Sequence, residues 1–401
     1  MKIKCSKNRN FEENLDGMKR PERVLNEDLP LAINVNLGPY CNLSCSYCFA
    51  NGGDYGTITR AMDESYAEKI FSLIKKNYNK NTGLRLEYFG GEPLMNFKVL
   101  SHINDWLDPR LDEMGIKLIK RISTNMTCMT EEILEFFKNN DFIISVSIDG
   151  GREVQNKQRA FKNGEGSFDI ILENMRKIKE ACPDTKTVAR MTYHDPGDDL
   201  VENVRLLSDT GVFDYISIYP SISAWMDKEH SFKLRMIDNI TNLIDEYGNL
   251  LEDFPNLKGI LEFDQIISQL VHRKSSIHHC RAGTAYFTFS PDEKIVPCHR
   301  LAGDKRFSLD EITFLDEWNE SAYDNETCRD CRAVSICGGG CRHEHFIATG
   351  SLNKPNPDVC LYQTSLLDGI LKNYHMFDHK DYDNSLEELS YLFTNCGRQV
   401  V

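Results

Sequence analysis

Cys41, Cys45 and Cys48 stand at a C-x3-C-x2-C spacing inside Gly38-Pro39-Tyr40-Cys41-Asn42-Leu43-Ser44-Cys45-Ser46-Tyr47-Cys48-Phe49-Ala50, directly after an apolar run. A four-iron, four-sulfur cubane offers four iron sites and normally takes four thiolates. A loop that supplies three within eight residues can wrap one such cluster and leave one iron for an exchangeable ligand. Zinc, a disulfide with a spare thiol, and three structural thiols are the other readings of the triplet. Zinc sites pair C-x2-C with a second, distant pair and close tetrahedrally, so a lone triplet lacks a ligand for that metal.

The C-terminal third holds a second field: Cys280, Cys298, then Cys328-x2-Cys331-x5-Cys337-x3-Cys341, then Cys360. Seven cysteines are about two clusters' worth of ligands. His299, His343 and His345 lie among them, so composition leaves two zinc sites open as a rival. The first thirty residues contain no apolar core of signal-peptide length, and no apolar run approaches a membrane span. A cytoplasmic protein without membrane or secretory segments is expected, and there the 14 cysteines are better explained by metal ligation than by disulfides. The net charge of −14, with Asp+Glu 61 against Lys+Arg 47, argues against a nucleic-acid binder.

Such ligands need a scaffold to bring them together, and 401 residues with 41% hydrophobic content can bury one large domain and a smaller one. Leu31 to Leu37 alternates apolar and polar residues and predicts a strand feeding the first cysteine loop. Helical periodicity over 63–77, 97–114, 130–139, 168–181 and 199–209 alternates with strand patterns at Leu84 to Phe89, Lys117 to Ser123, Phe142 to Ile148, Lys186 to Thr192 and Tyr215 to Tyr219. A long helix follows over 229–251. Six strand-helix repeats predict an α/β fold with a parallel sheet that right-handed crossovers curl toward a barrel. Ligands gather at the carboxyl ends of such strands. There the chain places Cys41 to Cys48, Gly90-Gly91-Glu92-Pro93, Ser123 to Asn125, and Asp149-Gly150-Gly151.

The triplet with its aromatic, C-x3-C-x-Y-C, resembles the signature of the radical S-adenosylmethionine (SAM) superfamily. The resemblance implies a partial (β/α)6 TIM-like barrel and a [4Fe-4S] cluster on Cys41, Cys45 and Cys48 whose open iron takes the amino and carboxylate groups of SAM. Gly90, Gly91 and Glu92 are similar to the family's GGE motif at the SAM amino group. Ser123 and Asn125 match positions near the SAM ribose and carboxylate, Arg159 an arginine that binds the carboxylate, and Tyr47 an aromatic beside the adenine. The second field resembles the SPASM extension, which binds two auxiliary clusters and so implies three [4Fe-4S] clusters in all. By that pattern Cys328, Cys331, Cys337 and Cys360 hold the outer cluster, and Cys280, Cys298 and Cys341 the inner one. The family's further inner cysteine would fall near Tyr286, so the inner cluster lacks a local ligand. Either its iron stays open for a substrate thiolate, or Cys5, Cys128, Cys182 or Cys396 supplies the fourth sulfur. The corresponding division is an N-terminal arm over 1–30, a barrel over 31–255, a bridging segment over 256–277, a SPASM domain over 278–375 and a tail over 376–401.

Phe89-Gly90-Gly91-Glu92-Pro93-Leu94-Met95-Asn96-Phe97 and Asn51-Gly52-Gly53-Asp54-Tyr55-Gly56 resemble thioether-forming (ranthipeptide and sactipeptide) maturases, which implies an oxidoreductase that splits SAM into methionine and a 5′-deoxyadenosyl radical, abstracts hydrogen from a ribosomally made precursor peptide and joins a cysteine sulfur to that carbon. No catalytic side chain is assigned. Carbon-carbon crosslinking, formylglycine formation in sulfatases, and a zinc or iron-sulfur scaffold or redox sensor are the alternatives. The implied partners are the precursor peptide and a flavodoxin- or ferredoxin-like electron donor; the forty residues before Cys41 being few for a leader-binding domain, the leader is expected to be held either by a separate recognition protein or directly by residues 1–30 and the barrel rim.

Overall fold

The computed structural model describes residues 11–18, 20, 30–78, 83–313, 315–377 and 399–400. Seven strands run parallel in chain order: β1 (Leu31–Asn36), β2 (Leu84–Phe89), β3 (Leu118–Thr124), β4 (Phe142–Ser147), β5 (Thr187–Tyr193), β6 (Tyr215–Pro220) and β7 (Gly259–Ile260). The six expected strands are all present, and β7 extends the sheet into the segment read as a bridge. After β8 (Ser276–His278), strand β9 (Tyr286–Phe289) joins β1 in parallel on its other side, and β10 (Ile295–Val296) pairs antiparallel with β9. One sheet therefore crosses the boundary expected at 278. β11 (Gln399–Val400) pairs antiparallel with β8.

Helix α1 (Phe11–Asp16) lies within the expected arm, because Leu15 and, just beyond it, Met18 bury their side chains in the core. Helices α2 (Tyr66–Asn77), α3 (Phe97–Glu113), α4 (Glu131–Asn139), α5 (Arg152–Gln158), α6 (Phe168–Ala181), α7 (Leu200–Asp209) and α8 (His230–Asp253) connect β1 to β7, with α5 the one that periodicity did not mark. Further on come α9 (Leu261–His272), α10 (Val334–Cys337), α11 (Arg342–Thr349) and α12 (Pro357–Lys372). None of the described helices is long and apolar enough to cross a membrane. Thr130 caps α4 by accepting a hydrogen bond from Ile133 N at 3.2 Å. Thr130→Ala should cost about 1 kcal/mol of stability in denaturant unfolding.

The alternation in β1 marks a polar lumen instead of a solvated face. All six residues of β1 are buried, and Asn34 and Asn36 point where the next strands place Arg85, Glu87, Arg121 and Ser145. The outward residues Ile33, Val35, Leu86 and Ile144 pack under the helices in one core that runs from Leu15 to Phe377. That core takes in α12, which also ties to α8 through Lys233 and Asp358 at 2.8 Å. Parallel strands covered by helices have no wet face, so a polar inward row signals a cavity.

Candidate active site

The first cysteine loop is clamped from two sides by backbone hydrogen bonds. Gly91 N donates to Gly38 O at 2.9 Å and Glu92 N to Tyr40 O at 2.7 Å. Opposite them, Ser44 N donates to Ala160 O at 2.8 Å and Ser46 N to Gln158 O at 3.0 Å, in the stretch that α5 delivers. Gly91 is required by this packing: a Cβ there would stand 2.3 Å from the Tyr40 carbonyl oxygen and 3.1 Å from Cys41 N. The absent side chain of Gly91 thus admits the cysteine loop itself. Gly91→Ala should displace that loop and lower the iron bound after anaerobic reconstitution, measured by iron and sulfide assay.

Two of the three sulfurs meet a hydrogen-bond donor and the third faces a cation. Gly52 N donates to Cys48 Sγ at 3.3 Å, Asn125 Nδ2 reaches Cys41 Sγ at 3.8 Å, and the Arg159 guanidinium lies near enough to Cys45 for its charge to favour the thiolate. Burial pushes the Cys41 thiol up to about 12, with the Glu92 carboxylate and then Cys45 and Cys48 adding to it. Burial raises the Cys45 thiol as well, and two crowded thiols largely out of water ionise readily only around a cationic guest. Among the described residues no three His, Cys, Asp or Glu side chains converge on a point where one ion would sit. A cubane gives each thiolate its own iron and needs no such convergence, so the donor set fits a cluster.

The proposed SAM residues converge on the same end of the barrel. Glu92, the N-cap of a short 3-10 turn, is buried and accepts from Leu94 N at 3.0 Å, Thr124 Oγ1 at 2.6 Å and Asn125 N at 2.6 Å. Burial holds its carboxyl up at about 7 despite these donors. Ser123 Oγ donates to Glu87 at 3.0 Å, and Asn125 Nδ2 also donates to Asn42 Oδ1 at 2.9 Å. Arg159 forms a bidentate pair with buried Asp149, Nε and Nη2 each at 2.9 Å. Asp149 also accepts from the Tyr47 hydroxyl, and Tyr47 presents its ring to the Arg159 guanidinium at 5.2 Å. Asp149, placed by the sequence at the carboxyl end of the fourth strand without a role of its own, is therefore the anchor of Tyr47 and Arg159; only the fold shows that.

All three sulfurs line a cavity of about 2010 Å³, open solvent included, together with Glu92, Ser123, Asn125 and Arg159 on one side. Cys280, Cys298 and Cys341 line its other side with Tyr286. Burial raises the Cys341 thiol to about 12, with Glu344 and Cys280 adding to it, and the Cys298 thiol is raised by burial and then by Cys341 and Cys280. Aromatic rings join the two sides: His299 lies 5.6 Å from Phe49, which follows Cys48, and 5.1 Å from Phe89.

The outer set is partly gathered. Cys328 is raised to about 11 by burial and then by Cys360 and Cys331, which places those three together. Cys337, half-buried at the end of α10, has its carbonyl 3.1 Å from His279 Nδ1. Gly338, Gly339 and Gly340 follow with φ of 63°, 93° and 79°, a left-handed turn that lets Cys337 and Cys341 face different ways. Of the spare thiols, Cys128 sits by Asn42 at 3.5 Å, beside the first loop. Cys182 is buried after α6 with Lys138 and Glu135 nearby, so neither joins the inner set. Cys5 and Cys396 lie outside the described residues.

Residues 35–214 match the model of the Radical SAM superfamily. A serine-type anaerobic sulfatase-maturating enzyme of Bacteroides thetaiotaomicron is 30% identical over 355 residues, covering 80% of this chain and 84% of that one. Among solved structures, native anSMEcpe with bound AdoMet and Kp18Cys peptide superposes with a TM-score of 0.71 at 18% identity, over 86% of this chain and 99% of that chain. Streptococcus suis SuiB bound to precursor peptide SuiA gives 0.56 at 18% identity, over 83% and 76%. With the cysteine loop, the barrel and the second cysteine field in one cavity, the chain belongs to the radical SAM superfamily of enzymes, among its SPASM-type peptide maturases.

Proposed function

We propose that the chain matures a ribosomally made precursor peptide by joining a cysteine sulfur to a peptide carbon. The observation that carries this reading is the cavity into which Cys41, Cys45 and Cys48 open from one side and Cys280, Cys298 and Cys341 from the other. The inner set gathers three thiols among the described residues, and Tyr286 stands where a fourth local one is expected. A cluster there would have an iron for a substrate thiolate, facing the place where hydrogen is removed. The bound peptides of anSMEcpe and SuiB support a peptide as the guest of this barrel.

When bound, SAM and the cluster on the first loop supply a radical able to take hydrogen from an unactivated carbon. The chain's own residues do the rest. Gly52 and Asn125 direct N–H groups at two of the sulfurs and Arg159 sets a positive charge near the third, which tunes a cluster's potential. Glu92, Ser123, Asn125, Arg159 and Tyr47 offer SAM polar and aromatic contacts, Gly90 and Gly91 the close backbone. The apolar wall of Phe49, Phe89 and Leu366 limits water around the reacting carbon. Cys328, Cys331, Cys337 and Cys360 would hold the outer cluster, and a flavodoxin- or ferredoxin-like protein would deliver electrons. Leader recognition by a separate protein belongs to the same reading.

Co-expression with a cysteine-containing precursor should give a product lighter by two hydrogens whose cysteine resists alkylation. The same mass loss with a free thiol would indicate a carbon-carbon crosslink. Formylglycine formation is the second reading, favoured by the 30% identity to a sulfatase-maturating enzyme; it would leave an aldehyde that a hydrazide probe captures.

A further inference from the structure

The lumen beneath the cavity carries an imbalance of charge. β2, β3 and β5 place Arg85, Arg121 and Arg190 inside the barrel, against Glu87 from β2 and Glu262 at the start of α9. Elsewhere in the cavity wall guanidiniums are paired: Arg159 with Asp149, and Arg300 with Glu344. Arg121 donates to Ser145 Oγ at 3.1 Å. Arg190 differs. Its backbone is held in the sheet between Ser147 and Ser217, while its guanidinium lines the cavity with no hydrogen bond or ion pair among the described residues.

The two carboxylates that face it from neighbouring elements are both engaged. Glu262 accepts from Ser217 Oγ at 2.7 Å and Ile218 N at 2.9 Å, and Glu87 accepts from Ser123. Arg190 also feels the Arg159 cation and the Tyr286 hydroxyl, and it acts in turn on His299. It lines the same cavity as the first cysteine loop and Cys298. Burial lowers its proton affinity, yet an arginine so placed remains charged. A guanidinium lining a cavity is able to match a carboxylate bidentately.

We propose that Arg190 is the receptor for a carboxylate of the peptide substrate and so sets which residue is held at the centre of the cavity. The proposal rests on the peptide-maturase reading. It makes the preferred substrate acidic beside its modified position, an aspartate or glutamate side chain or a free C-terminus.

The test uses the anaerobically reconstituted full chain with SAM present. A library of acetylated nonapeptides, each with one cysteine and degenerate elsewhere, is panned once with amidated and once with free-acid C-termini. A charge-assisted pair of this kind predicts roughly ten- to a hundred-fold enrichment of Asp and Glu over Asn and Gln at one offset from the cysteine, or of free-acid over amidated peptides. The first result assigns the side chain and the second the terminus. Arg190→Gln should bring the ratio near one, and Arg190→Lys should keep part of it. Because the wild-type library is itself decisive, misfolding of a variant does not shield the idea. Retention of peptides without acidic preference, or an equal preference in Arg190→Gln, overturns the proposal and leaves peptide maturation standing. Weakened SAM retention in Arg190→Gln with the acidic preference intact assigns Arg190 to SAM and also overturns it. If no peptide is retained while SAM is still cleaved, both readings fall.

Discussion

Asp149→Ala is expected to lower unfolding stability by about 3–5 kcal/mol, the cost of leaving a buried guanidinium without its partner. Arg159 loses both of its 2.9 Å hydrogen bonds to Asp149, Thr192 N loses its acceptor at 2.8 Å, and Tyr47 loses the group that fixes its hydroxyl. The same change frees Arg159 from its fixed place in the cavity wall beside the first cysteine loop, so SAM cleavage should fall along with stability. Asp149→Asn keeps an acceptor for Thr192 N without the charge and should lie between the two. Denaturant unfolding of the reconstituted protein, followed at two wavelengths, gives the stability change; a loss below 1 kcal/mol would show that Asp149 does not anchor this network.

The second large effect concerns chemistry with little change in fold. Cys45→Ala should abolish production of 5′-deoxyadenosine and remove about four irons per chain, the content of one cubane. The loop is clamped by backbone contacts to Gly91, Glu92, Gln158 and Ala160 that do not involve the Cys45 side chain, so the barrel should persist. Iron that stays in the variant belongs to the second field, and its electron paramagnetic resonance signal after reduction should survive unchanged. Zinc in place of iron in the wild type, with no SAM cleavage, would instead favour the scaffold reading.

Much of this was legible in the chain because cluster chemistry is written locally. Cys41, Cys45 and Cys48 lie within one loop, and Gly90 to Glu92 and Ser123 to Asn125 end strands whose patterns are strong. What could not be read depends on the fold's closure. The polar members of β1 look like a solvated face until the lumen is seen. Arg190 sits among ordinary strand residues, and no local signal separates it from a surface arginine. Asp149 gains its importance from Arg159 and Tyr47, 10 and 102 residues away. Strands as short as β7 and β9 leave too little pattern to detect.

The pairing of β9 with β1 bears on how this protein can be divided. Ala32 stands opposite Tyr286 and Val35 opposite Phe289, so the strand that feeds the first cysteine loop is flanked by one drawn from the cysteine-rich half. A chain cut after β8 would bare the backbone of β1 as an open row of N–H and C=O groups, a template for other chains to add to. The C-terminal half is therefore no cassette to be exchanged between barrels: trimmed versions should precipitate rather than yield a simpler working enzyme.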